Sequence, residues 1–410
     1  MSAAPPGLTF FIRSQAGGTP ATTGDSRGHP SSVEAAVSAA FSFSIASRHS
    51  SHYRFDRVLP RSKRCGILAP MNESCIDSSL PFIDLHRHLD GAVRLSTILE
   101  LAKKHGVRLP AATLEELRPH VQVMERQPGV MAFISKMLWM TAVLADTQAC
   151  QRIARENVED AQREGIDYIE LRFSPWFMSE PHGLDPAAVT SAVVRGTEEG
   201  AAATGVRVKL IGILSRTYGP EVADKELAAL LTERTNIVAL DLAGDEANFP
   251  AKLFTEHFKR ARDAGWRITV HAGESAGPES VWDAVQLLGA ERIGHGVRAM
   301  EDEGLVDFLS EHEIGIEANL TSNVQTSTVH DLSGHPLRQM LERGLCASIN
   351  TDDPGVSAID LPYEFEVAAP AAGLSREMIQ QAQRNSLESA FLSTDEKVEL
   401  LQAKTRQTNR

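Results

Sequence analysis

Short apolar runs rich in β-branched residues alternate with longer helical patterns along most of this chain, and this alternation restricts the fold more than any other feature. Strands that alternate with helices are typical of βα units around a parallel sheet. Eight such runs occur, and eight strands can close a barrel. They are 82–86, 168–173, 208–214, 237–243, 267–271, 292–295, 314–319 and 347–351. The sequence therefore predicts an α/β fold of the (β/α)8 TIM barrel type.

The first 70 residues differ in composition from the rest. Ser, Ala, Gly, Pro and Arg dominate there, with eight basic residues against three acidic ones. This composition predicts a disordered leader over residues 1–70. An organelle transit peptide is one interpretation. The favoured one is that the leader is not translated, because Met71 directly precedes the first folded-looking segment and no amphipathic Arg-rich helix is evident. Residues 71–410 are then expected to form a single domain.

A helical insertion is predicted between the first and second strands, over about 95–165, and further helices follow the eighth strand. The insertion contains an apolar stretch made of Met131, Phe133, Met137, Leu138 and Trp139. An insertion at this point could cap the barrel mouth. The favoured interpretation is that these residues are ordinary helix-face core, as such stripes usually are.

Charge and composition limit the partners. The net charge of −13 disfavours nucleic acid as a partner, because a polyanion is repelled by a surface without basic stripes. No apolar run approaches the ~18 residues that a membrane span needs. The four cysteines form no Cys-x-x-Cys pair, so a reducing cytoplasm is the simpler assumption. A small neutral or cationic substrate fits best, and the oligomeric state is left open.

Histidines and carboxylates occur where the predicted strands end, which is where barrel enzymes place their chemistry. His86 and His88 end the first strand, and period two points both into the barrel, where they can chelate one metal ion. A lone buried histidine is more often a hydrogen-bonded core residue, but a pair at strand spacing favours a metal. His271 ends the fifth strand, with Glu274 on the following turn.

The sixth and eighth strands complete the predicted site. His295 lies between two glycines that make room for close approach, and Asp352 and Asp353 follow the eighth strand. Because the eighth strand of a closed barrel pairs with the first, one of these aspartates is expected beside the histidine pair. Three histidines and one carboxylate would hold a single divalent ion and leave a position for water.

Along residues 75–397 the chain closely resembles the bacterial adenosine deaminases, and seven motifs carry the resemblance. They are Asp84-Leu-His-Arg-His-Leu-Asp-Gly91 preceded by Leu80-Pro81, Glu170-Leu-Arg-Phe-Ser-Pro175, Asp241-Leu-Ala-Gly-Asp-Glu246, His271-Ala-Gly-Glu274, Arg292-Ile-Gly-His-Gly296, Leu320-Thr-Ser-Asn323 and Ile349-Asn-Thr-Asp-Asp-Pro354. The resemblance implies hydrolytic deamination of adenosine, and of deoxyadenosine, in purine salvage. The products would be inosine or deoxyinosine and ammonia.

The resemblance also implies a role for each matching residue. One zinc ion per chain would be held by His86, His88, His271 and Asp352. Glu274 would donate a proton to purine N1, and His295 would orient the attacking water or help to deprotonate it. The substrate-binding residues would be His88, Asp90, Gly244 through its backbone, and Asp353. A proton donor must be protonated near neutral pH, so we expect burial near Asp353 to raise the pKa of Glu274.

Some alternatives remain at this point. Asp90 could instead cap the following helix, and Gly244 could be a plain turn glycine. Adenine, AMP and modified-adenosine deaminases share the metal ligands; Asp90 favours a nucleoside, and a 5′-phosphate would face a carboxylate. A barrel that only binds nucleosides would be free to lose these ligands, and nothing here resembles a carbamylated-lysine site. Glu170 and Arg172 are interpreted as a buried structural pair.

Overall fold

Eight parallel strands form the centre of the structure, a computed structural model that describes residues 74–408. They lie side by side in chain order. The strands are β1 Ile83–His88, β2 Tyr168–Phe173, β3 Arg207–Ser215, β4 Ile237–Ala243, β5 Arg267–Ala272, β6 Arg292–His295, β7 Gly315–Ala318 and β8 Cys346–Ile349. Each corresponds to a predicted strand, so the predicted α/β barrel is confirmed. The predicted leader, 1–70, lies outside the described residues.

The barrel closes just beyond the end of β8. β8 pairs with β7 along its length, whereas Asp352 forms the bridge to Arg87 of β1. The Asp352 amide donates to the His86 carbonyl at 2.7 Å, and the His88 amide donates to the Asp352 carbonyl at 2.8 Å. The predicted neighbourhood of the first and last strands is confirmed, and it brings Asp352 to the histidine pair.

Helices surround the sheet. They are Leu95–His105, Leu114–Val121, Val130–Ile134, Leu138–Thr141, Thr147–Glu164, Pro175–Ser179, Pro186–Thr204, Pro220–Leu231, Thr255–Asp263, Pro278–Asp283, Glu303–Glu311, Leu320–Gln325, Leu337–Glu342, Pro354–Ser357, Leu361–Tyr363, Ala369–Ala371, Arg376–Ser389 and Thr394–Thr408. The first five make up the predicted insertion, and the last five follow β8, where C-terminal helices were predicted. Asp146 caps the longest helix of the insertion, accepting from the Ala149 amide at 2.7 Å. Among the described residues, none of the helices has the length and apolarity to cross a bilayer.

A layer of fully buried charges fills the centre of the barrel, and Glu317 of β7 lies in its middle. Its carboxylate accepts from Arg292 at 2.6 Å, Arg172 at 2.7 Å and Thr269 at 2.9 Å. Buried charges persist only when they are paired, and here both guanidinium groups share one carboxylate. This carboxylate therefore connects β2, β5, β6 and β7 beneath the mouth of the barrel.

The predicted pairing of Glu170 with Arg172 is wrong. Both side chains are fully buried, but Arg172 pairs with Asp241 at 2.8 Å and with Glu317, while Glu170 pairs with Arg292 and accepts from the Tyr168 hydroxyl. Two residues apart on one strand, they point to the same side, and each finds its partner across the barrel.

A buried carboxyl outside the barrel gives the fold a pH dependence. Glu364 is fully buried and accepts from the Thr321 amide at 3.3 Å, and burial raises its pKa from 4.5 to about 8. Because this pKa is higher in the folded than in the unfolded chain, protonation favours folding. That contribution is complete below 4.5 and is lost as the pH rises through about 8.

We therefore expect Glu364→Gln to gain stability relative to the parent chain as the pH rises, by a few kcal/mol at pH values above the folded pKa. The measurement is the free energy of urea unfolding across this pH range. Glu311→Gln, at an exposed position, is the control and should track the parent chain. A constant difference between Glu364→Gln and the parent would contradict the expectation.

Candidate active site and metal centre

Four side chains converge at the C-terminal mouth of the barrel. His86, His88, His271 and Asp352 each present one ligand atom, and these atoms lie within 4.8 Å of one another. The Nε2 atoms of His88 and His271 are 3.2 Å apart, and Asp352 Oδ1 is 3.2 Å from His86 Nε2 and 3.4 Å from His88 Nε2. All four residues are buried, and the structure brings together the four predicted ligands.

Further carboxylates hold two of these imidazoles from behind. Glu317 lies 2.6 Å from His86 Nδ1, and Asp241 lies 3.0 Å from His271 Nδ1. Both contacts leave Nε2 pointing to the centre of the cluster, the arrangement that orients histidine ligands of a metal. The hydroxyl of Ser322 donates to Asp352 Oδ2 at 2.6 Å, which leaves Oδ1 for the cluster.

The donor set fits a zinc ion. His86 Nε2 is buried and makes no hydrogen bond, although it faces the other three ligand atoms. Burial lowers the pKa of His88 and His271, so both rings are neutral, as metal ligands must be. Three imidazoles and one carboxylate match the ligand types of a catalytic zinc site that keeps a position open.

His295 joins the cluster from β6 with an unusual backbone. Its ring centroid is 5.0 Å from that of His86 and 5.2 Å from that of His271. Both His295 and Asp352 have a φ of 64°, the left-handed region that costs a residue other than glycine about 1–2 kcal/mol. Gly294 leaves space here, since a Cβ on it would lie 2.9 Å from His86 Cε1. The predicted close approach beside His295 is confirmed.

Glu274 lies on the loop after β5 and is buried. Its pKa is raised well above the usual range, first by burial and then by the negative charges of Asp352 and Glu246. The expected direction of this shift is confirmed, although Asp352 rather than Asp353 is the leading charge. A carboxyl that stays protonated near neutral pH can donate a proton.

A single carboxylate holds the loop that carries Glu274. Glu246, which follows β4, accepts from four consecutive amides of the loop after β5, those of residues 273–276, at 2.6, 3.1, 2.7 and 3.0 Å. Charge-assisted hydrogen bonds to an ionised carboxylate are among the stronger ones in proteins. We name this arrangement the Glu246 clamp. It fixes the position of Glu274 relative to the loop after β4.

A cavity of about 270 Å³ opens above the cluster. Met131, Phe133, Met137 and Leu138 of the insertion line it. The favoured interpretation of the apolar stretch as core is confirmed for Phe133 and Met137, which are buried in the core and also border the cavity, and is wrong for Met131 and Leu138. Trp139, the fifth residue, packs against the core and does not line the cavity. The insertion caps the mouth of the barrel, as the alternative interpretation had it.

A polar wall forms the side of the cavity near Asp90. Asp90 Oδ2 accepts from the Ser174 amide at 3.3 Å, while Oδ1 is buried without a hydrogen bond, and burial raises the pKa of Asp90 to about 7. Ser215 donates to Ser174 at 2.8 Å, and Ser174 donates to the buried Glu226 at 2.7 Å. The following helix begins after Arg94, so the interpretation of Asp90 as its cap is wrong.

Asp353 and Gly244 lie on the wall of the same cavity. Asp353 Oδ1 is buried without a hydrogen bond, and burial beside the ionised Asp352 raises the pKa of Asp353 well above its usual range. Gly244 has a φ of 109°, and a Cβ there would lie 2.5 Å from Thr217 Oγ1. Gly244 is thus a turn glycine by conformation that also borders the cavity.

Sequence reasoning missed three carboxylates that hold the site in place: Asp241, Glu246 and Glu317. The sequence did contain a signal for each of them. A charged residue within or just after an apolar strand is costly to bury unless it is paired, so its presence there indicates a buried partner. Asp241 and Glu246 even belong to a quoted motif, but their roles depend on contacts to other strands.

Comparisons with known proteins show the family to which the chain is similar. A family profile described as Adenosine deaminase matches residues 81–405. An adenosine deaminase from Escherichia coli O1:K1 is 59% identical over 322 residues, which cover 78% of this chain and 97% of that protein.

Solved structures show the same barrel. The adenine deaminase from Arthrobacter aurescens superposes with a TM-score of 0.75 at 28% identity and covers 81% of this chain and 100% of its own. An amidohydrolase from Burkhoderia ambifaria with bound Zn superposes with a TM-score of 0.73 at 26% identity and covers 81% of this chain and 91% of its own. The Arabidopsis N6-mAMP deaminase superposes with a TM-score of 0.69 at 26% identity and covers 80% of this chain and 98% of its own.

Proposed function

This chain belongs to the adenosine deaminase family, and we propose that it removes the 6-amino group of adenosine with Glu274 as proton donor and His295 beside the attacking water. It is a zinc-dependent hydrolase that converts adenosine to inosine and ammonia in purine salvage. The observation that carries this function is the cluster of four ligand atoms in a cavity that also holds a carboxyl of raised pKa.

The residues divide the work as follows. When bound by His86, His88, His271 and Asp352, the zinc ion supplies a Lewis acid that makes water a nucleophile near neutral pH. Glu274 donates its proton to N1 as the water oxygen adds to C6, so that N1 takes up the electron pair of the N1–C6 double bond without gaining a negative charge. The oxygen replaces the amino group, and of the two protons of the water one restores the acid form of Glu274, whose own proton stays on N1, while the other leaves with ammonia.

The remaining polar groups orient the purine and the sugar. Asp353, with its raised pKa, offers a hydroxyl that can donate to N7, and the backbone of Gly244 contacts N3. Asp90 and His88 bind the ribose. The free Oδ1 of Asp90 and the oxygen of Ser215, whose hydrogen is donated to Ser174, provide acceptors of the kind that sugar hydroxyls need.

A nucleoside suits this cavity better than a nucleotide. Over the part of the chain that the structure describes, no lysine or arginine lines it, while Asp90, Glu274, Asp352 and Asp353 do. A 5′-phosphate would lose its hydration and meet carboxyl groups rather than a cation. A free base has no sugar, so it would leave the polar groups of this wall without hydrogen-bond partners.

We expect the purified chain to deaminate adenosine and 2′-deoxyadenosine and to leave adenine and AMP essentially unchanged. The loss of absorbance at the adenosine band measures turnover, and metal analysis should give about one zinc per chain. Turnover of adenine or AMP at a comparable rate would overturn the roles given to Asp90 and the polar wall. Zinc binding without turnover of any of the four would overturn the enzyme function.

We propose the cytoplasm as its location. The three cysteines within the described residues, Cys75, Cys150 and Cys346, are free thiols, which a reducing compartment allows. The partners of the chain are then purine nucleosides and water, with neither nucleic acid nor membrane among them.

A further inference from the structure

Asn323, the last residue of the motif Leu320-Thr-Ser-Asn323, lies directly behind His295. It is fully buried, and its side chain has a histidine on each side. Its Nδ2 is 2.8 Å from His295 Nδ1, and its Oδ1 is 3.1 Å from His335 Nε2. His335 is also buried, with 3% of its surface exposed, and it takes no part in the proposed reaction. Asn323 and His335 therefore connect the active site to a loop outside the barrel.

A backbone amide sets the direction of this chain of hydrogen bonds. The Leu337 amide donates to His335 Nδ1 at 3.1 Å, and a backbone N–H can only donate. Burial lowers the pKa of His335 to about 3, so its ring is neutral and carries its hydrogen on Nε2. This Nε2 donates to Asn323 Oδ1, which turns the amino group of Asn323 towards His295.

The amino group of Asn323 then determines which ring nitrogen of His295 carries the hydrogen. It donates to His295 Nδ1, which is an acceptor and carries no hydrogen. Asn319 Nδ2, at 3.3 Å, faces the same nitrogen. Glu274 Oε1 is the other group near it, but at 3.6 Å it is too far for a hydrogen bond. Because Nδ1 accepts these hydrogen bonds, the hydrogen of the ring lies on Nε2.

We propose that His335 and Asn323 are positioning residues that hold His295 in the tautomer with hydrogen on Nε2, so that His295 donates a hydrogen bond in the active site. His295 Nε2 lies 3.9 Å from Asp352 Oδ2, on the side of the metal ligands. In this tautomer the ring can orient the oxygen of the attacking water, but it has no free nitrogen to take a proton from it. The proposal rests on the proposed function and restricts His295 to orienting the attacking water.

The direct test is nitrogen NMR of the zinc-loaded enzyme labelled with ¹⁵N-histidine. We expect the signals of His295, assigned by their loss in His295→Gln, to show an unprotonated Nδ1 and a protonated Nε2. Asn323→Asp replaces the donor by an acceptor, and we expect it to move the hydrogen to Nδ1. A protonated Nδ1 in the parent enzyme would overturn the proposal whatever its activity.

Kinetics test the more distant residue. His335→Phe removes the donor to Asn323, and we expect kcat for adenosine to fall about 10-fold with KM within about twofold. His335→Gln can still donate to Asn323, and we expect it to restore most of kcat. His330→Phe, at a neighbouring position that is 87% exposed, is the matched control and should change neither constant.

The outcomes separate this proposal from the function itself. Equal losses of kcat in His335→Phe and His335→Gln, with the hydrogen of His295 still on Nε2 in both, would show a merely structural role and overturn the proposal. A parent enzyme that shows the expected tautomer but deaminates none of the nucleosides would instead contradict the proposed function.

Discussion

Glu274→Gln is expected to lower kcat for adenosine by about 10²- to 10⁴-fold while the zinc stays bound. The glutamine keeps the size of the side chain and can still accept the hydrogen bond from Thr326, which donates to Glu274 Oε1 at 3.4 Å. It cannot give up a proton to N1. Since Glu274 is not a zinc ligand, the metal content should match that of the parent enzyme.

The pH profile distinguishes a proton donor from a residue that only shapes the cavity. The acid form of Glu274 is the active one, and burial beside Asp352 and Glu246 raises its pKa. The activity of the parent enzyme should therefore persist through neutral pH and fall as the pH rises through this raised pKa. The residual activity of Glu274→Gln should lack this fall.

The exposed Glu279→Gln, on the same segment, serves as the control for Glu274 and should behave like the parent. Steady-state rates at several pH values, together with zinc analysis, provide the measurement. Full activity in Glu274→Gln would refute the role of proton donor, and loss of zinc from this variant would mean that the residue acts through the metal site instead.

Glu317→Gln is expected to lower the free energy of unfolding by about 3–5 kcal/mol, because it removes the carboxylate that two buried guanidinium groups share. Arg172 would keep Asp241, and Arg292 would keep Glu170, but each guanidinium group would exchange a hydrogen bond to a carboxylate, worth about 1.5–3 kcal/mol, for a contact with a neutral amide. The same carboxylate holds His86 Nδ1 at 2.6 Å, so zinc affinity should fall about 10- to 100-fold as well.

Urea unfolding with the zinc-saturated and the metal-free chain separates these two effects of Glu317→Gln, and competition with a chelator gives the affinity. Glu342→Gln is the matched control. It breaks an exposed ion pair with Arg338 at 2.9 Å and should cost at most about 0.5 kcal/mol. If both variants unfolded at the same urea concentration, the carboxylate of Glu317 would not stabilise the buried layer of charges.

Sequence could predict the strands and metal ligands because both follow local rules. The period of two puts His86 and His88 on one side of β1, and strand ends of a parallel barrel share one face. Partners across the barrel follow no local rule. Arg172 meets Asp241 and Glu317, which lie 69 and 145 residues further along the chain, rather than nearby Glu170.

The apolar stretch of the insertion shows a second limit. Met131 and Leu138 read as helix-face core, because hydrophobic residues that cover a cavity and those that fill a core have the same helical spacing. Only the packing of the insertion over the mouth of the barrel separates the two. That packing depends on the relative orientation of the several short helices between residues 95 and 165.

The Glu246 clamp limits how the substrate range of this enzyme can be changed. Barrels of this fold acquire new activities by altering single loops on an unchanged scaffold. Here the loop after β4, with Gly244, and the loop after β5, with Glu274, share one carboxylate and four amides. A loop transplanted alone would bring unmatched amides or an unmatched carboxylate, so in directed evolution these two segments should be exchanged as one cassette.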